Sequence, residues 1–353
     1  MKLSTLLVAG SGLLSTAVVH AHGDAIVPRS EIQRRDQLAR RCASAAGAFN
    51  AKRMAKRSTP TKRQATTATE EGTHYKAIQN ETCVMTPEVI MGPYVWPESQ
   101  MMRTDVSKPS YHARGPARRP LTLDIGVLDM ATCEPLQNAM VSLWHCNATG
   151  DYSSFEQLDE NLTFQELKAK LGLTNVTYGV TDLHTDNTTW LRGMYPTNKE
   201  GMMEMQTVFP GFYAGRAIHI HTQVFTHWTL LPNGTMRSGD LVSTGQIYFD
   251  EALTQTIMAL EPYAQHTQIQ RTANDVDKFI GGSMEGGYSP FVAVEPLDGP
   301  EGDVTKGMVG YITLGVDTAN LSRPPNYIEP ASPYERSRGW RVAQVRHNCC
   351  YTK

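Results

Sequence analysis

The sequence has no second long apolar run. After the first twenty residues, no stretch reaches the roughly 18 apolar residues that a membrane-spanning helix needs. The chain is therefore expected neither to span a membrane nor to be anchored in one. It also lacks a charge excess: 33 Lys and Arg stand against 35 Asp and Glu, for a formal net charge of −2. That balance supplies no overall attraction to a polyanion, and nucleic acid is not an expected partner. No fixed-period self-similarity is present, which excludes an array of repeats. Cysteine is sparse, with only Cys42, Cys83, Cys133, Cys146, Cys349 and Cys350.

What is present begins with an export signal. Lys2 supplies a positive end, Leu6 to Val19 an apolar stretch interrupted by Gly and Ser, and Val19-His20-Ala21 a small-residue cleavage site. Residues 1–21 are read as a signal peptide, and the protein as secreted. Disulfides are expected in that compartment, and six cysteines allow fifteen connectivities. Cys349 and Cys350 are adjacent, and a bond between neighbours would be strained. Sequons for N-glycosylation stand at Asn80, Asn147, Asn161, Asn175, Asn187, Asn233 and Asn320. Asn147 lies in a site-forming segment and is expected to stay bare.

Residues 22–63 carry eleven Lys/Arg and three Asp/Glu, with dibasic pairs such as Arg34-Arg35 and Lys62-Arg63. One reading is a pro-segment removed after Arg63, which would leave 21 basic and 32 acidic residues, a net charge of −11. The other is a helix of the mature protein, with Leu38, Cys42, Ala45 and Phe49 at helical spacing. Removal would discard Cys42 and leave five cysteines outside the cell, which favours the helix. Thr59 to Thr69 is a Pro/Thr/Ala-rich linker. The expected organisation is a basic pro-segment or helix plus linker over 22–70, a catalytic domain over 71–320, and an extension with a Cys pair over 321–353.

Within the central part the periodicity is that of short strands. Leu121 to Leu128, Ala139 to Trp144, Met203 to Phe209, Ile218 to Phe225 and Gln246 to Phe249 are predicted strands, followed by Phe291 to Val294 and Met308 to Leu314. Thr163-Phe-Gln-Glu166 is a capping box opening a helix to about Leu171, and Glu251 to Leu260 is a second helix. Many short strands with few helices predict a mainly β protein: a β-sandwich of mixed short strands, a few short helices and an N-terminal helical segment.

The densest chemistry lies in Phe209-Pro-Gly-Phe-Tyr213-Ala-Gly-Arg216-Ala-Ile-His219-Ile-His221. Alternate residues of a strand share a face, so His219 and His221 aim at one point while Ile218 and Ile220 face the other way. Two neutral imidazoles suit a borderline transition metal. A further tyrosine follows in Leu143-Trp-His-Cys-Asn-Ala-Thr-Gly-Asp-Tyr152-Ser. Two phenols with two imidazoles suit a hard, high-valent ion, and Fe(3+) is the natural candidate. His145 reads as a core histidine or a partner behind a ligand. Trp190, Tyr195 and Tyr94 read as core or as aromatic walls, with core packing preferred. His112, His184 and His227 read as loop residues.

With these pieces in order the chain resembles the intradiol ring-cleavage dioxygenases, in their secreted fungal branch. The resemblance rests also on Gly92-Pro-Tyr94, Arg103-Thr-Asp105, Leu123 to Asp129 with Thr132-Cys-Glu-Pro-Leu136, Trp190-Leu-Arg-Gly193 and Gly245-Gln246-Ile-Tyr-Phe249. It covers roughly residues 80 to 260. It implies a β-sandwich and Fe(3+) held by Tyr152, Tyr213, His219 and His221. It implies Tyr213 as the ligand that leaves and takes a substrate proton, and Tyr152 as the one that stays. Arg216 is then the cation beside the substrate ring, and Gln246 a residue near the metal. The implied partners are a small aromatic diol and O2. The implied reaction opens the ring between the two hydroxyl-bearing carbons. Tyr213 and His219 are only six residues apart, closer than in bacterial relatives, which implies a more open site. Two other readings stay in view: a non-catalytic β-sandwich binding module, and a copper monooxygenase using His22 as its N-terminal residue.

Overall fold

The computed structural model describes residues 29–57, 83–84, 91–96, 100–107, 119–176, 181–237, 239–283, 289–299 and 301–319. His22, His112, the sequons Asn80 and Asn320, and Cys349 and Cys350 lie outside them. In chain order the strands are β1 (Cys83–Val84), β2 (Pro120–Asp129), β3 (Glu134–Pro135), β4 (Met140–Trp144), β5 (Arg192–Pro196) and β6 (Met202–Val208). They continue as β7 (His219–Thr226), β8 (Thr229–Leu230), β9 (Met236–Arg237), β10 (Asp240–Tyr248), β11 (Ala293–Pro296) and β12 (Met308–Val316). The helices are α1 (Arg29–Arg57), α2 (Phe164–Leu171), α3 (Glu251–Met258) and α4 (Lys278–Ser283).

Two sheets form a β-sandwich. One has β1, β12, β2 and β3 in order, with β11 on β12 and β6 on β2. The other runs β10-β7-β4-β5. Between them lies the main core. Leu121, Leu123, Ile125 and Val127 of β2 and Ile312, Leu314 and Val316 of β12 face Val141, Leu143, Ile220, Val224 and Ile247 from the second sheet. Strands β2 and β12 pair in parallel from Met308↔Leu121 to Val316↔Asp129, while every pair in the four-stranded sheet is antiparallel.

The expected strands are present within a few residues. Strand β2 departs from strict alternation because both its faces are covered: every residue from Leu123 to Asp129 is buried. The cover on the outer face is α1. Its Cys42, Ala46 and Phe49 pack on Leu128, Met130 and Met202. Asn50 accepts a hydrogen bond from Thr313 Oγ1 at 3.0 Å, Arg34 pairs with Asp317, and Cys42 is disulfide-bonded to Cys133. Cys146 is a buried free thiol. Helix α2 starts with the predicted capping box. Thr163 Oγ1 accepts from the Glu166 N–H at 3.4 Å, and the Thr163 N–H donates to Glu166 at 2.8 Å. Among the described residues no helix is long and apolar enough to cross a membrane.

Candidate metal centre

The four-stranded sheet has an inner face, which joins the core, and an outer one. Ile218 and Ile220 point inward, so His219 and His221 point outward. Register then decides their neighbours. Gln246 and Trp144 stand opposite His221 on the two flanking strands, and Tyr248 stands opposite His219. The Trp144 ring stacks on His221 at 4.7 Å between centroids and 4° between planes.

Two loops bring the phenols over this face. After β4 the chain knots on Asn147, whose Oδ1 accepts from the Thr149 N–H at 2.9 Å and the Asp151 N–H at 3.0 Å. The second loop, 209–217, locks against the first. The Gly211 N–H donates to Asn147 O at 2.9 Å, and a Cβ at Gly211 would lie 2.4 Å from Ala148 O. A Cβ at Gly150, where φ is +98°, would lie 2.4 Å from Phe212 O. Only glycines allow these two loops to touch, and their contact sets Tyr152 beside Tyr213, with ring centroids 5.6 Å apart.

The four residues predicted as ligands thus meet in one buried cluster. His219 Nε2 lies 3.1 Å from His221 Nε2 and 3.3 Å from Tyr213 Oη, and the Tyr152 and His221 rings are 6.3 Å apart. His219 Nδ1–H donates to Ala217 O at 2.7 Å, leaving the Nε2 lone pair facing the cluster. Tyr152 Oη is buried with no hydrogen-bond partner. It lies close enough to Tyr213 to bear on that phenol's ionisation, but not in hydrogen-bonding geometry. Burial depresses both imidazoles, His219 to about 3. Burial also raises both phenols, Tyr213 to about 12 in spite of nearby Arg216. A set of neutral donors turned toward one another, with one oxygen unpartnered, fits a cation that would invert this ionisation. Among the described residues no group of three or more His, Cys, Asp and Glu offers another centre.

Beside the cluster opens a cleft lined by Pro93, Tyr94, Phe164, Tyr213, Arg216 and Phe279, among others. Tyr213 lines it; Tyr152 lies behind, stacked on Tyr94 at 4.5 Å. Arg216 reaches across: Nη2 donates to Gln246 Oε1 at 2.5 Å and to Tyr248 Oη at 3.1 Å, and Nε donates to Asp277 at 2.9 Å. Gln246 Nε2 is in turn 3.5 Å from His221 Nδ1. Arg192 is wholly buried behind Tyr152, its guanidinium held by Ser153 and by Tyr94 O, and burial lowers it to about 9.

The remaining aromatic and histidine positions sort as follows. Tyr94 forms part of the cleft wall, whereas Trp190 donates to Glu156 at 2.7 Å within the core and Tyr195 packs against it. His145 is core, with both ring nitrogens satisfied at 2.7 Å by Cys146 O and Thr207 Oγ1. His184 and His227 lie in loops, paired with Asp182 and with Asp240 at the start of β10. Asp277, Phe279 and Phe164 carried no sequence signal as site residues. Tyr248 and Arg192 lie inside segments that carry the resemblance, which assigns neither a role.

Residues 90–250 match the family model described as Dioxygenase. The intradiol ring-cleavage dioxygenase from Tetranychus urticae is 24% identical, the match covering 68% of this chain and 98% of that one, with a TM-score of 0.51. A second dioxygenase structure is also 24% identical, covering 68% of this chain and 97% of its own, with a TM-score of 0.52. Catechol 1,2-dioxygenase from Pseudomonas arvilla C-1 is 16% identical, covering 73% and 68%, with a TM-score of 0.38. No protein of curated function matches the sequence. The family model spans 161 of the 353 residues, and the likeness to the first two dioxygenase structures is one of fold, the β-sandwich.

Proposed function

We propose that this chain is a secreted non-haem Fe(3+) enzyme that opens catechol- or hydroxyquinol-type diols between the two hydroxyl-bearing carbons. Both atoms of O2 enter the product, a muconate-type diacid. The observation that carries this reading is the meeting of two imidazole Nε2 atoms and two phenols in one buried cluster, at the wall of an aromatic cleft.

Tyr152, Tyr213, His219 and His221 would hold the iron. Bound there, ferric iron supplies the electronic coupling that lets a singlet aromatic diol react with triplet O2. The chain supplies the rest. Phe164, Phe279 and Tyr94 give a flat ring apolar and aromatic walls. With iron bound, Tyr213 on the cleft wall would be a phenolate whose Oη takes a proton from a substrate hydroxyl, while buried Tyr152 stays in place. Arg216 presents a fixed cation to negative charge that develops on the ring.

Metal analysis of protein from an iron-replete host tests the reading, with visible spectroscopy and O2 uptake across di- and trihydroxybenzenes. One iron per chain, a tyrosinate charge-transfer band and O2 consumption are expected. His219→Ala should lose the iron. Stoichiometric zinc or copper, or a colourless protein that consumes no O2 with any diol, would refute it.

A further inference from the structure

We infer that Asp277 is a positioning residue that, with Phe279, clamps the Arg216 guanidinium across the candidate site. This rests on the proposed role of Arg216 in ring cleavage. Both residues lie beyond position 250, where the family match ends.

One oxygen does two jobs. Asp277 Oδ2 accepts from Arg216 Nε at 2.9 Å and from the Ala217 N–H at 2.8 Å. Ala217 is thereby held through both of its backbone polar groups, because its carbonyl accepts from His219 Nδ1 at 2.7 Å. The carboxylate that orients the guanidinium also pins the backbone leading into the ligand strand. Asp277 Oδ1 accepts from the Phe279 N–H at 2.9 Å. That bond sets the Phe279 ring, whose centroid lies 4.3 Å from the guanidinium carbon. Arg216 is therefore fixed at its Nε edge by Asp277, on a ring face by Phe279, and at Nη2 by Gln246 and Tyr248.

Electrostatics points the same way. The two side chains are 8% and 1% exposed. Burial would raise the Asp277 carboxyl, but Arg216 and the Ala217 N–H outweigh it and hold it below its ordinary value. A buried guanidinium whose carboxylate is removed becomes an uncompensated charge and moves toward water. Such a displacement of a charge-stabilising group by about an ångström is enough to cost up to roughly 10²-fold in rate.

The test is a double-mutant cycle with Asp277→Asn, Arg216→Gln and the pair. It is read as kcat and KM on catechol with the iron-loaded enzyme, and as the melting temperature of metal-free protein. Asp277→Asn should keep the iron, lower kcat by roughly 10- to 100-fold and shift KM little. In the Arg216→Gln background it should cost less than about 2-fold more, because both changes remove one function. In metal-free protein each single change should lower Tm, and the pair should lower it by clearly less than the sum. Unchanged kcat in Asp277→Asn, or equal losses in both backgrounds, would overturn the inference. If Asp277→Asn does not fold, Phe279→Leu takes its place, with a smaller kcat loss and the same non-additivity expected. If the unaltered protein cleaves no diol, the proposed activity fails separately. The melting cycle then decides the clamp, and additive losses would reject it.

Discussion

Two buried histidines, His145 just past the end of β4 and His219 on β7, show how residue context separates support from chemistry. His145 spends both ring nitrogens on Cys146 O and Thr207 Oγ1. His219 spends one and turns the other to the cluster. The His145 assignment predicts a pH dependence. Burial lowers its pKa to about 4 from the ordinary 6.5. As pH falls, the unfolded chain takes up the proton first, so the contribution is whole above about 6.5 and is lost as pH falls to about 4. At pH 5 the loss is about 2 kcal/mol. Urea unfolding of metal-free protein at pH 7 and pH 5 should therefore show a steeper acid loss for the unaltered chain than for His145→Gln, by about that amount. Equal losses would show that the ring is not neutral and buried in solution. At this scale the H-x-H pair was legible, since alternation fixes which face a strand residue takes. Tyr152 and Tyr213 were legible as phenol donors suited to a hard ion, but their assignment as ligands came through resemblance. Asp277 was invisible, because what makes it matter is a contact with a residue 61 positions away.

The same cluster predicts unequal tyrosines. Tyr213 lines the cleft and Tyr152 does not. Tyr213→Phe should retain iron and some colour, bind catechol and cleave it slowly. Tyr152→Phe should change the charge-transfer band of the substrate complex more. Identical substrate-bound spectra and identical residual rates in the two variants would show that the phenols have no separate roles.

Among elements, α1 is the one whose place could not be read locally. Its spacing gave a helix, but the surface it covers comes from β2 and β6, some 80 to 160 residues later. The Cys42–Cys133 bond ties it there across a sequence separation of 91. Replacing both cysteines by Ala should lower stability by about 4 to 5 kcal/mol if loop closure in the unfolded chain dominates. The melting transition of that variant measures it, and a loss under about 1 kcal/mol would mean that packing alone holds the helix. Strands were legible where Val, Ile and Leu recur, as in β2, β4 and β12. Strand β5 was not. Its Arg192-Gly-Met-Tyr-Pro196 has a Gly, a terminal Pro and a fully buried Arg, and no alternation marks it. Pairings such as the parallel β2–β12 ladder join distant segments and leave no local trace.

The whole molecule is a sandwich whose two outer faces are both occupied. Helix α1 covers one sheet; the loops carrying Tyr94, Tyr152, Tyr213 and Asp277 cover the other. That double cover decides which sequons are free for modification. Asn175, Asn187 and Asn233 are exposed. Asn147 is 7% exposed, and its Nδ2 donates to Asp151 at 2.9 Å inside the knot that carries Tyr152. Asn161 is half-buried, its Nδ2 donating to Glu160 at 3.1 Å and its Oδ1 3.0 Å from His266 Nε2. A glycan on either amide would remove one of those donor hydrogens and need space that the loops fill. In protein made through a secretory pathway, glycopeptide mapping should find sugar at Asn175, Asn187 and Asn233, and unmodified Asn147 and Asn161. The burial that keeps Asn147 bare is the burial that holds Tyr152 at the cluster, so the two should fail together. A folded, iron-binding protein with sugar on Asn147 would mean that the knot after β4 is not built as described. The position of Tyr152 would then need another explanation.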